Sequence, residues 1–329
     1  MNALLSLLAV GVLIGLAALA SGAGLGFVFA VVLPYLAILL FLGGFIAKIV
    51  GWAKSPVPFR IPTVSGQQKA LDWIPQNKLE SPVTGFQVFV RMALEVLFFR
   101  SLFRNTRAEL REGPRLVYAA DKFLWLFALL FHWSFLVIFI RHLRFFTEPV
   151  PFFVTALESL DGFFEVGIPF LFLTDLAILA ALAFLLGRRF ANPQVRYISL
   201  FADYFPLFLI LGIVVTGVLM RHFAKVDIHA VKALGVSLLS LSPAVPAGLG
   251  ALFFIHLFLV TTLIAYFPWS KLMHLGGVFM SPTRNLANNN RTVRHVNPWN
   301  PDVKPHSFDA WKEEFKDEIA QAGYKLERD

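Results

Sequence analysis

The chain has 329 residues, 57% of them hydrophobic and only 15% charged, with 36 Phe, no Cys and a formal net charge of +8. So apolar a composition excludes an ordinary soluble domain, and the lack of Cys excludes disulfides and thiolate-bound iron–sulfur clusters. The positive balance suits the inner-side loops of a membrane protein, and no nucleic acid is expected as a partner.

Six apolar segments stand out: residues 4–20, 26–49, 123–140, 168–186, 201–220 and 248–266. Asn2 through Ala47 holds no Lys, Arg, Asp or Glu. Each segment, alone or with its flanks, can cross a hydrocarbon layer of about 30 Å at about 1.5 Å per residue. The first ends in Ala18-Leu19-Ala20 and has a second reading as a signal peptide, but no positive charge precedes it. The predicted fold is an all-α, polytopic membrane helix bundle of about six transmembrane helices without internal repeats. Residues 1–52 form two N-terminal spans, 53–119 a cytoplasmic loop, 120–275 a four-helix core and 276–329 a cytoplasmic tail suited to docking a protein partner.

Orientation follows from the loops. Residues 54–122 hold eleven Lys/Arg against six Asp/Glu, and 187–200 hold Arg188, Arg189 and Arg196 with no acid. Residues 145–169 hold Glu148, Glu158, Asp161 and Glu165 with no base. The basic loops and the tail are therefore expected in the cytoplasm, with the chain in the cytoplasmic (inner) membrane. The loop 221–249 fits less well, because Arg221, Lys225 and Lys232 would lie outside. Within the first loop, residues 86–111 read as an amphipathic interfacial helix with its arginines toward lipid phosphates. In the tail, a short helix is expected over 308–322, capped by Ser307 or Asp309.

Four of the eight histidines lie in or at the ends of two spans. His132 and His142 are ten residues apart, and His256 and His274 eighteen apart. Ten residues of helix rise about 15 Å and eighteen about 27 Å, and eighteen residues complete five turns, which puts His256 and His274 on one face. The two helices run in opposite directions, so His132 faces His274 near the inside and His142 faces His256 near the outside. Each pair can clamp one haem iron, with the irons about 20 Å apart on this arithmetic. A proton relay is the competing use of such residues. Arg141, Arg144 and Arg221 are candidates for haem propionates or for ordinary interfacial charges. Asp175, about two turns into the fourth span, is a quinone-site candidate or a buried hydrogen-bonding group. His222 and His229, which bracket the outer end of the fifth span, read as interfacial, with replacement of an outer haem ligand as the alternative.

At these residues the chain resembles the dihaem cytochrome b (gamma) subunit of respiratory nitrate reductase, whose histidine spacings match His132–His142 and His256–His274. The additional N-terminal helix, the stretch Ser81-Pro-Val-Thr-Gly-Phe-Gln through Phe99-Arg-Ser-Leu-Phe-Arg-Asn-Thr106, and the tail Asn297-Pro-Trp-Asn-Pro-Asp-Val303 through Trp311-Lys-Glu-Glu-Phe315 resemble the DsrM family. These are membrane cytochrome b subunits of the Dsr complex linked to dissimilatory sulfite reductase. The resemblance implies two haem b groups and a quinone or quinol substrate. It also implies a DsrK-like cytoplasmic iron–sulfur protein, a periplasmic multihaem cytochrome, a periplasmic ferredoxin-like protein and a second membrane subunit as partners in sulfur metabolism. Bis-histidine irons have no open position, so the subunit alone is not expected to act on a sulfur substrate. The rival classes are a proton-coupled transporter with a His/Asp relay and a passive membrane anchor.

Overall fold

A charge-free stretch in hydrocarbon has only its own backbone to bond with, and it becomes helix. The computed structural model describes residues 1–55, 67–69, 71–104, 106–113, 115–162, 172–289 and 304–325. Helix α1 (Asn2–Gly22) turns at Gly24, whose φ of 74° suits a residue without Cβ, into a wide turn at Val28–Val32 and α2 (Leu33–Ala53). After α3 (Gly85–Phe98) and α4 (Arg100–Phe103) comes an antiparallel hairpin of β1 (Thr106–Arg111) and β2 (Arg115–Ala120). Then follow α5 (Lys122–His142), α6 (Phe152–Gly162), α7 (Leu173–Ala191), α8 (Pro193–Ile198) and α9 (Phe201–Val218). The chain continues through α10 (Ile228–Leu239), α11 (Ala251–Tyr266), α12 (His274–Gly277) and α13 (Pro282–Asn285). Two tail helices, α14 (Phe308–Glu314) and α15 (Lys316–Gln321), occupy the expected tail segment, with Ser307 capping the first.

Among the described residues, five helices are long and apolar enough to cross a membrane: Asn2–Gly22, Val28–Ala53, Lys122–Phe145, Phe201–Phe223 and Ala251–Trp269. The remaining expected span, 168–186, corresponds to α7, and its residues 168–171 lie outside the described residues. At 19 residues α7 is about 28 Å long, but it carries Asp175 in its first turn and Arg188 and Arg189 in its last. The fold is thus an all-α, multi-pass bundle with one small hairpin at its edge.

Helix α5 packs along α7, α7 along α9, α9 against α1 and α11, and α11 against α2. The first helix therefore belongs to this bundle. Val10 is buried with Phe205, Leu209 and Leu259, and Ser6 Oγ donates to the Phe201 carbonyl. Gly212 makes the approach possible, since a Cβ there would stand 3.3 Å from Leu259 Cδ1 and 3.6 Å from Val10 Cγ1.

Ion pairs tie the loops at each end. At one end Arg188 meets Asp121, Asp203 meets Arg189 and Lys271, and Asn2 donates to the Ser199 carbonyl. At the other, Glu148 pairs with Lys232, and Glu158 with Arg144 and Arg221. Of the basic residues that fitted the topology poorly, Arg221 and Lys232 are thus answered by the acidic loop on the same end. Glu165 and residues 290–303 lie outside the described residues.

The expected interfacial helix over 86–111 is corrected in two respects. It is shorter, because Phe99 adopts the left-handed conformation (φ 50°, ψ 47°) and the chain from Thr106 is strand. Its charges also face the protein. Arg91 and Glu95 are buried, while Phe86, Phe89 and Phe98 are exposed. Arg91 donates to the Glu80 carbonyl, Arg100 and Arg104 pair with the Glu80 carboxylate, and Glu95 takes Ser101 and Arg284. Burial pulls the Arg91 guanidinium below its ordinary range, which the nearby Glu95 opposes. Arg91, Arg100 and Arg104 therefore hold the preceding loop through Glu80, while Glu95 takes Arg284 from the far end of the chain.

Candidate functional site

Four imidazoles meet as two pairs. The His132 and His274 ring centres are 5.9 Å apart with planes at 80°, and those of His142 and His256 are 6.4 Å apart at 12°. Helix α5 supplies one ring of each pair. The other two come from α11 and from the turn that begins α12.

His256 and His274 do not share one helix, which corrects the five-turn argument. Helix α11 ends at Tyr266, Pro268 and Ser270 break the chain into a corner, and His274 starts a separate turn. The corner is wedged against α2: a Cβ on Gly44 would stand 2.7 Å from Pro268 Cβ, and one on Gly277 3.5 Å from Trp52. With no straight 27 Å run, the axial separation of the pairs is set by α5, where ten residues rise about 15 Å.

Each ring has one nitrogen engaged. His132 Nδ1 donates to the Ala128 carbonyl at 2.7 Å, His142 Nδ1 to Ile138 at 2.7 Å, and His274 Nδ1 to Lys271 at 2.9 Å. A carbonyl only accepts, so Nδ1 carries the proton in all three. Thr216 Oγ1 already donates to the Gly212 carbonyl at 2.7 Å and therefore accepts from His256 Nδ1 at 2.9 Å. All four Nε2 atoms are then left with a lone pair. This is the tautomer that metal-ligating histidines adopt when their other nitrogen is held by an outer partner. Two metal–imidazole bonds of about 2 Å, plus about 1 Å from nitrogen to ring centre on each side, require centres about 6 Å apart. Both pairs meet that distance, and the donor set suits an iron porphyrin clamped from two faces.

The supporting residues were not singled out in the sequence. Gly217 lets α9 approach, since a Cβ there would lie 3.3 Å from His256 Cε1. Its neighbour Thr216 supplies the acceptor, and the adjacent small pair on an apolar helix is the signal that marks such an approach. Beside the other pair, the Phe99 ring meets His132 edge-on at 4.9 Å, and the Trp125 and Trp133 indoles donate to the Phe98 and Leu97 carbonyls. Helix α3 is thereby pinned to α5 at the level of His132.

The charges near the His142–His256 pair form one cluster. Arg141 bonds Asp161 and reaches Thr174 Oγ1 at 3.4 Å, while Asp161 accepts from the Thr174 N–H and hydroxyl. Arg144 pairs with Glu158, which Arg221 also approaches at 3.9 Å. The Phe172 ring lies between the Arg141 and Arg221 guanidiniums at 3.7 and 4.0 Å. The arginines considered for propionates are thus partly engaged by the chain's own carboxylates. Asp175 bonds His222 Nε2 at 3.2 Å, with side-chain exposures of only 12% and 6%. His222 is therefore a buried partner of Asp175, not an interfacial residue. No group of three or more His, Cys, Asp or Glu side chains forms a metal cluster among the described residues.

Comparison with known proteins gives two findings. The family model described as nitrate reductase gamma subunit matches residues 86–296, from α3 onward. Two relatives are each described as an Hdr-like menaquinol oxidoreductase cytochrome b-like subunit. That of Archaeoglobus fulgidus is 45% identical over 284 residues, covering 84% of this chain and 85% of the relative. That of Archaeoglobus profundus is 44% identical over 323 residues, covering 89% and 96%.

Proposed function

The chain belongs to the nitrate reductase gamma subunit family, and from that premise we propose that it is a dihaem cytochrome b subunit carrying electrons between menaquinol and a cytoplasmic Hdr-like iron–sulfur partner. The observation that carries the reading is the facing of the imidazoles at 5.9 and 6.4 Å with every Nδ1 already bonded. His132 and His274 would hold the inner haem b, and His142 and His256 the outer. A bound haem would supply a one-electron carrier at each pair.

The chain's own residues do the rest. Ala128, Ile138, Lys271 and Thr216 fix the ring tautomers and orientations. Arg141 is committed to Asp161, whereas Arg144 and Arg221 share one carboxylate and retain donors for a propionate. The buried Asp175–His222 pair supports a quinol side at the outer end. The end bearing Arg188, Arg189 and Lys271 faces the cytoplasm, as the distribution of basic loops favours. The relatives' names and the resemblance of loop and tail to the DsrM family support a quinone-reactive subunit of an oxidoreductase complex. In that complex a DsrK-like protein docks near α3 and the tail and serves sulfur metabolism. The further periplasmic and membrane partners follow from the same resemblance.

A reduced-minus-oxidised absorption spectrum with haem stoichiometry tests the reading on the purified protein. Two b-type haems per chain are expected, and a colourless protein refutes it. The buried Asp175–His222 contact also suits a proton relay without redox chemistry, and a colourless protein would select that reading.

A further inference from the structure

We propose that His222 is the base that takes protons from a bound quinol at the outer end of the bundle, with Asp175 as its positioning carboxylate. The inference rests on the quinol-linked dihaem reading above and names the residue that makes the site work.

Helix α9 opens into a wide turn at Leu219–Phe223, closed by the Ala224 N–H on the Leu219 carbonyl at 2.8 Å. Turns of this kind cost hydrogen-bond geometry and recur at functional sites. This one carries His222 to Asp175, in the first turn of α7. An ionised carboxylate only accepts, so His222 Nε2 donates to Asp175 and Nδ1 becomes the basic atom of the ring. A carboxylate that fixes an imidazole with its far nitrogen free is the arrangement of a general base.

Position agrees. Arg141 directly precedes His142 in α5, and its guanidinium reaches Thr174, the residue before Asp175. The dyad therefore adjoins the residues that present the outer pair. Among the described residues, Arg141, Arg144 and Arg221 lie beside it with Asp161 and Glu158.

The chemistry balances. A quinol has two O–H bonds. As each breaks, the proton goes to His222 Nδ1 and one electron to an acceptor of the ferric haem class, which becomes ferrous. After two such events the quinol is a quinone, and two protons have left His222 for the outer aqueous phase.

The test uses the full-length protein in detergent with its haems. Fluorescence quenching of 2-heptyl-4-hydroxyquinoline N-oxide, a quinol analogue, reports binding apart from activity, and menaquinol-driven haem reduction reports the step. His222→Gln keeps a donor for Asp175 but no base. We expect both haems to remain, quinol-driven reduction to slow by about 100-fold or more, and analogue affinity to fall about fivefold as one hydrogen bond is lost. Asp175→Asn should slow reduction by about tenfold or more with analogue affinity within about twofold of the parent. That separation of rate from binding would not follow from a structural role. Parental rate or analogue affinity in His222→Gln overturns the proposal, as does loss of the outer haem from that variant. Should it fail to fold, a parental rate in Asp175→Asn overturns it instead. A parent protein without b haem, or one that does not quench the analogue, ends both this inference and the reading beneath it, and is seen before any variant is made.

Discussion

Replacing Thr216 by Val probes the outer pair at its most specific support. The side chains are nearly equal in volume, so packing against Gly217 and α11 is kept while the hydroxyl is lost. The His256 Nδ1–H, now bonded to Thr216 Oγ1 at 2.9 Å, loses its acceptor in a buried setting, at a cost of about 1–3 kcal/mol. The same change releases the Ile213 carbonyl, to which the Thr216 hydroxyl also donates at 3.0 Å. That carbonyl can substitute in part, so the cost belongs near the lower end, about 1.4 kcal/mol or a tenfold loss of outer-haem affinity. A less strongly bonded imidazole donates less charge to ferric iron, so the outer midpoint potential should rise. For a one-electron couple, each tenfold loss confined to the ferric form corresponds to about 59 mV. Redox titration followed at the b-haem absorption bands, with haem quantified per chain, reads both effects. Thr216→Ser should restore the parental values. A Thr216→Val protein with unaltered outer haem, or with the inner haem altered instead, would refute the reasoning.

Three further outcomes are expected. His132→Ala and His274→Ala should each remove the same inner haem and spare the outer. If they remove different haems in spectra of the two variants, the pairing read from the 5.9 Å approach is wrong. Gly44→Ala drives a Cβ to 2.7 Å from the rigid Pro268 ring and should cost about 1–3 kcal/mol, lowering inner-haem occupancy. Gly276→Ala meets only the flexible tip of Ile49 at the same distance and should melt closer to the parent in thermal denaturation. Glu95→Ala removes the carboxylate shared by Ser101 and Arg284. It should destabilise α3 by about 3 kcal/mol, because it leaves Arg91 with less compensation. Faster limited proteolysis within residues 67–104 would register this.

Much of the bundle could be read from hydropathy, because uncharged runs of eighteen or more residues have few structures open to them. The meeting of α5 with the α11–α12 stretch could be read from histidine spacing and helix direction. Three features escaped for local reasons. Pro268 and Ser270 break the last span, yet the break leaves the histidine interval intact, so spacing alone could not expose it. The periodic arginines from Arg91 onward suggested an outward charged face, whereas Glu80 in the loop just before α3 and Arg284, distant in sequence, turn that face inward. The Asp175–His222 bond joins residues 47 positions apart through a wide turn, and periodicity carries no signal for such a contact.

The 12° and 80° angles between the paired imidazole planes would have a magnetic consequence with a ferric haem held by each pair. Nearly parallel axial rings push the upper iron π orbitals apart in energy, while crossed rings leave them almost degenerate. A ferric centre of the first kind gives a rhombic low-temperature paramagnetic resonance spectrum, and one of the second kind a single strongly anisotropic low-field feature. The two proposed sites would then be distinguishable in one unmodified sample, so that electron arrival at each could be followed without altering a residue.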